Sequence, residues 1–163
     1  DLLFTLVEIV SAELNAERGT LFLNDPASNE LYSRVAQGTF NREIRLANNA
    51  GIAGSVFQSG KGEIVSDVHA DARFNREVDA QTGFTTRNIL AAPVITASGE
   101  IIGVFESLNK RSGMFTQRSS RIVTSCACPA TISTSVRPAT NSGPCEASMV
   151  CRPAGSSISS SAP

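Results

Sequence analysis

Two neighbouring runs, residues 88–95 (NILAAPVI) and 101–108 (IIGVFESL), are rich in β-formers and apolar at both alternating positions. A turn through Ser98-Gly99 joins them, so they predict a hairpin. A strand that is apolar on both faces is stable only where both faces are covered. The pair therefore predicts a sheet with other elements packed above and below it. Pro93 removes one ladder donor and predicts a bulge or an edge at that point. Glu106 is the exception within the second run. Alternation puts it on the face with Ile102, Val104 and Leu108. A carboxylate on a buried face needs a partner, either a basic side chain or a hydrogen-bond donor on a ligand, unless it sits at a solvent-facing edge.

The remaining pattern is compatible with such a sheet. Leu2, Leu3, Leu6, Val7, Val10 and Leu14 recur at helical spacing, and residues 15–18 end the helix. Residues 19–24 and 31–36 predict a second hairpin through Asp25-Pro26, Ser28 and Asn29. Residues 43–46 and 63–66 predict short strands. Residues 51–60 predict a short helix, with Asn49 as candidate cap and Gly60 at a left-handed stop. Asp71 is a candidate cap for helical structure reaching towards Gly83. The fold class expected is α/β of the α+β kind: a mostly antiparallel sheet with helices on both faces and no internal repeat.

Composition divides the chain at residue 117. Residues 1–117 hold 14 of the 15 acidic residues, 10 of the 14 basic ones and no cysteine. Residues 118–163 hold all four cysteines, five of the seven prolines, twelve serines and a single acid, Glu146. The first segment predicts one cytoplasmic domain. The second predicts a low-complexity, disordered tail. The helical pattern at the very start suggests a piece of a longer protein.

Several function classes lose support here. A formal net charge of −1 argues against nucleic acid, and no run of apolar residues is long enough for a membrane span. No signal-peptide pattern stands at the start. Asp67 and Asp71 bracket His69 without the further ligands a metal needs. Residues 54–62 resemble a phosphate loop only superficially, because the spacing of GxxxxGK followed by Ser or Thr is absent. No cysteine lies in the body, and no serine elbow accompanies the lone histidine, so nucleophilic catalysis is not expected. Cys126, Cys128, Cys145 and Cys151 do not have the spacing of a zinc site. Asp79, Thr82 and Thr86, three and four residues apart, share one polar face if helix continues that far, either solvated or facing a ligand. A helix starting near Gly51 offers free amides and a positive dipole end to one phosphate charge.

Segments 16–25 (AERGTLFLND), 43–46 (EIRL), 51–54 (GIAG), 71–75 (DARFN), 78–90 (VDAQTGFTTRNIL) and 103–110 (GVFESLNK) together resemble a GAF domain of the cyclic-nucleotide phosphodiesterase and adenylyl cyclase type, across residues 2–117. The resemblance implies a sheet of about six strands and a regulatory module that binds cAMP or cGMP over one sheet face. It implies a pocket of Thr20, Ala36, Gln37, Ile52, Ala53, Ala70, Asn75, Asp79, Thr82, Thr86 and Glu106, with the Ile52 and Ala53 amides on the phosphate. It implies no cofactor beyond that ligand. As partners it implies an attached output domain (cyclase, phosphodiesterase or kinase) and a homodimer through the terminal helices.

In the family, an Asn-Lys pair and a Phe precede an Asp-Glu pair whose aspartate braces the lysine. Here Asn109, Lys110 and Phe115 are present, but Ser119 and Ser120 stand where the acids belong. Lys110 is therefore expected to lack its partner. Pro129 argues against the closing helix, and a reading-frame change near residue 118 is one explanation. The alternative function that follows is a non-binding dimerisation or signal-relay element.

Overall fold

The computed structural model describes residues 2–38 and 42–126. In chain order the elements are α1 (Leu2–Glu13), β1 (Ala16–Asp25), β2 (Glu30–Ala36), β3 (Arg45–Ala47), α2 (Gly51–Ser59) and β4 (Glu63–Val65). A 3-10 turn (Val68–Ala70), α3 (Arg76–Thr82), β5 (Ile89–Ile95), β6 (Ile101–Lys110) and α4 (Gln117–Cys126) follow. Among the described residues, six strands form one antiparallel sheet in the order β3-β2-β1-β6-β5-β4. Both hairpins form, and the doubly apolar β5 and β6 lie inside the sheet with helices on each face.

One face carries α1 and α4. Val7, Val10, Leu14, Phe115 and Val123 pack there on Leu21, Val35, Leu90 and Phe105. Gly19 of β1 lets α1 come this close, because a Cβ there would collide with Ser11 Oγ and Val7. The opposite face carries α2. Ile52, Ala53 and Val56 pack there with Val68 on Phe22, Leu31, Ile89 and Val104. Alternation along the strands divides the two sets.

Pro93 is accommodated because β4 pairs only with residues 89–91 of β5, so the missing N–H points to an open edge. A bulge also interrupts β5–β6 between Val94 and Ile95. Ile102 is the extra residue there, opposite no partner, and packs with the α1/α4 core rather than beside Val104. This corrects its expected place on the face of Glu106.

Other local expectations change as well. Strand β1 begins at Ala16, inside the stretch expected to end the helix, because Ala16 pairs with Lys110. Asn49 does not cap α2; Ala50 holds the cap position without a side-chain bond, while Gly60 is the left-handed stop. Asp71 follows the 3-10 turn and accepts from the Arg73 amide at 2.9 Å. The cap of α3 is Asn75, which accepts from the Glu77 amide at 3.0 Å.

The largest correction is α4, a helix within the stretch expected to be coil. The Thr116 amide donates to Ser119 Oγ at 3.2 Å, and the Ser119 amide lies 3.4 Å from Thr116 Oγ1. This reciprocal bonding has the logic of a capping box, with serine in place of an acid. Lys110 also finds a partner: its Nζ donates to the Leu14 carbonyl at 2.6 Å and sits 5.9 Å from the centre of the Phe115 ring. Expectations for Cys128, Cys145, Cys151 and the rest of residues 127–163 lie outside the described residues.

Candidate functional site

Strand register fixes one row across the α2 face. Thr20 stands opposite Ala36 on one side and Glu106 on the other, and Glu106 stands opposite Ala91. Directly opposed residues of an antiparallel sheet share a face, so Ala36, Thr20 and Glu106 floor one space. Above this floor lie the first turn of α2, the 73–79 segment and the loop carrying Phe84 and Thr86. They enclose a cavity of about 400 Å³, within the usual range for small-molecule pockets.

Ten of the eleven residues expected in a pocket line this cavity: Thr20, Ala36, Gln37, Ile52, Ala53, Asn75, Asp79, Thr82, Thr86 and Glu106. Ala70 does not. It lies in the 3-10 turn and lines a separate shallow groove with Glu63, Asp67 and Asp71.

Glu106 is only 9% exposed, and among the described residues its carboxyl has no hydrogen-bond or ion-pair partner. Burial pushes its pKa up from an ordinary 4.5 to about 7. The internal ion pair considered from the sequence is therefore absent among the described residues. At the α2 end, Gly51 adopts φ 71 and Ala50 provides no side-chain cap. The first helical bond runs from the Gly54 amide to the Ala50 carbonyl at 3.1 Å. Helix geometry leaves the amides of residues 51–53 without an intrahelical acceptor, and all three residues line the cavity.

The α3 side is internally bonded. Asp79 accepts from both the amide and the hydroxyl of Thr86, each at 2.7 Å. Thr86 lies beyond the helix, which stops at Gly83, so a folded-back loop rather than a continuous helical face unites the pair. The Thr82 hydroxyl donates to the Val78 carbonyl at 2.8 Å. Gln37 Oε1 accepts from the Gly19 amide at 2.7 Å.

Asn109 holds this loop to the sheet. Fully buried, it accepts from the Arg87 amide at 2.6 Å and donates to Thr85 O at 2.8 Å and Glu17 Oε2 at 3.0 Å. Glu17 also pairs with Arg87 at 2.7 Å, and the Arg87 and Asn109 bonds hold its carboxyl below the usual range.

Sequence reasoning missed Arg18, Phe22, Arg45, Arg73 and Phe84 on the cavity wall. Arg18 and Phe22 share the parity of Thr20 on β1, so alternation could have found them. Phe84 lies in an aperiodic loop and gave no such signal. Arg45 pairs with Asp25, Glu30 and Glu43, and Arg73 with Glu63 and Asp71. Arg18 instead lies over the Phe84 ring, 4.1 Å from its centre, with no ion pair among the described residues. Among the described residues, Arg18 is thus a wall cation without an ion pair.

The class of fold is an antiparallel sheet with helices on both faces and a cavity over one of them. The GAF domain family model matches residues 1–128, and the chain belongs to that family. A probable 3',5'-cyclic phosphodiesterase pde-5 of Caenorhabditis elegans is 36% identical over 117 residues, covering 64% of this chain and 16% of that protein. The dual 3',5'-cyclic-AMP and -GMP phosphodiesterase 11 of Drosophila melanogaster is 36% identical over 124 residues, covering 66% of this chain and 8% of that protein. The chain thus spans only a small part of these relatives.

Solved structures share the fold. The GAF domain of an Acinetobacter phosphoenolpyruvate-protein phosphotransferase matches at TM-score 0.64 and 16% identity, over 77% of this chain and 74% of that one. A free methionine-R-sulfoxide reductase from Neisseria meningitidis matches at TM-score 0.64 and 19% identity, over 77% and 71%. No helix among the described residues is long and apolar enough to cross a membrane.

Proposed function

We propose that this GAF domain is a regulatory sensor whose cavity binds a cyclic nucleotide, cAMP or cGMP, and that occupancy controls an attached cyclase, phosphodiesterase or kinase output. The observation that carries the reading is the presence, in one cavity, of an uncapped helix start and an unpartnered buried carboxyl. A cyclic nucleotide matches both. Its single phosphodiester charge suits the α2 amides, and its hydroxyl or ring N–H groups suit Glu106 as donors. Arg18 adds positive charge at the wall. The cyclic-nucleotide phosphodiesterases among the relatives support the same ligand class. Ligand binding would shift a two-state equilibrium through the 73–88 segment, which closes the cavity. The reading is regulatory rather than catalytic, and the body up to residue 117 supplies no cysteine. Dimerisation through the terminal helices belongs to this proposal, supported by Leu2, Phe4 and Ile9 exposed on α1. So does a cytoplasmic setting.

A non-binding relay element is the second reading. Asp79 and Thr82 favour it, because their polar groups are already satisfied within the protein. Calorimetric titration of the full chain with cAMP and with cGMP separates the two. Saturable binding to one site supports the sensor. No heat with either nucleotide at high micromolar concentration, with the fold intact, supports the relay.

A further inference from the structure

Glu106 is an awkward neighbour for an anion. Its carboxyl lies in the floor of the cavity that offers amides to a phosphate, and no cation among the described residues neutralises it. From β1, Arg18 faces the same cavity, but its guanidinium lies over Phe84. From β3 and the segment before α3, Arg45 and Arg73 are each held by acids outside the cavity. From α3, Asp79 is turned to Thr86. The lining residues from α2, β2 and β5 carry no charge.

We infer that the cavity takes up its anionic ligand together with a proton, which settles on Glu106. The inference rests on the cyclic-nucleotide reading and adds its regulation: affinity rises as pH falls. Two negative charges in one desolvated space repel strongly. Protonation removes that repulsion and turns the carboxyl into a hydrogen-bond donor as well as an acceptor. Burial has already brought Glu106 close to protonation at neutrality, with a pKa of about 7, so little further work is required. The linkage sign follows. A bound state that holds more protons than the free state loses affinity as pH rises, by at most about tenfold per pH unit.

The full chain is titrated with cAMP and cGMP at pH 7.5 in two buffers of different ionisation enthalpy. The expected result is fractional proton uptake for each ligand bound. Between pH 6 and 8.5 the Kd weakens severalfold, and Glu106→Gln shows neither uptake nor that pH trend. His69→Asn is the control, since histidine is the other side chain that ordinarily changes charge in this range; it leaves the uptake in place. Carbon NMR of the Glu106 carboxyl in the native chain needs no variant, and its titration midpoint moves up on saturation. Zero uptake, proton release, an unmoved or lowered midpoint, or a pH trend that survives in Glu106→Gln overturns the inference while leaving nucleotide binding intact. Failure of both nucleotides to bind anywhere between pH 6 and 8.5 instead removes the cyclic-nucleotide reading, and this inference with it.

Discussion

Replacing Glu106 by glutamine tests the buried carboxyl without any ligand. In the folded chain its pKa is about 7, against an ordinary 4.5, and desolvation is the cause. The sign follows from proton counting. Below about pH 4.5 the carboxyl is neutral in both folded and unfolded chains, so it imposes no charge penalty. As pH rises from about 4.5 to the folded value of about 7, the unfolded chain ionises freely while the folded chain keeps its proton, and stability falls. Above that value the penalty is complete, on the order of 3 kcal/mol. Glutamine has nearly the same shape and cannot ionise. Glu106→Gln is therefore expected to match the native chain near pH 4.5 and to exceed it by up to about 3 kcal/mol at pH 8. Urea unfolding followed by far-UV circular dichroism at several pH values measures both curves. A variant no more stable than the native chain at pH 8, or parallel curves across the range, would refute the assignment of Glu106 as a desolvated carboxyl without a partner.

Asn109→Ala removes the bonds to Arg87, Thr85 and Glu17, leaving a buried amide without an acceptor. It should cost about 2–3 kcal/mol, and the Arg87 amide should exchange with deuterium faster than in the native chain. Val123→Ala tests whether α4 belongs to the core, since Val123 is 2% exposed. Thermal unfolding should report a loss of about 1–3 kcal/mol; an unchanged midpoint would return the helix to the tail.

Much of the fold was legible because its elements are strongly periodic. The two hairpins, α1 and the Gly60 stop follow from alternation, helical spacing and turn residues. Glu106 was legible for the same reason: a lone carboxylate in an apolar strand is conspicuous. The rest depends on partners distant in sequence. Nothing near Ala16 announces that it pairs with Lys110. Asp79 and Thr86 meet only because the loop after Gly83 folds back, so helical spacing grouped residues that the fold joins by a different route.

Composition misled at α4. A serine-rich, acid-poor stretch reads as coil, yet Ser119 exchanges bonds with Thr116 while Val123 reaches the core. Lys110, expected to lack a partner in the absence of the acids, bonds to a backbone carbonyl instead. Ala70 lies outside the cavity, in a three-residue turn that lines a separate groove, and nothing in its neighbourhood in sequence signals that.

The central claim is that the space between the sheet and the start of α2 is a cyclic-nucleotide site. Amide chemical-shift mapping of the full chain during titration with cAMP and cGMP tests it most directly. The account predicts that the largest shifts fall on Ile52, Ala53 and Thr86, saturating together with one nucleotide or both. Spectra unchanged at saturating nucleotide, or shifts confined to residues outside this cavity, would contradict it.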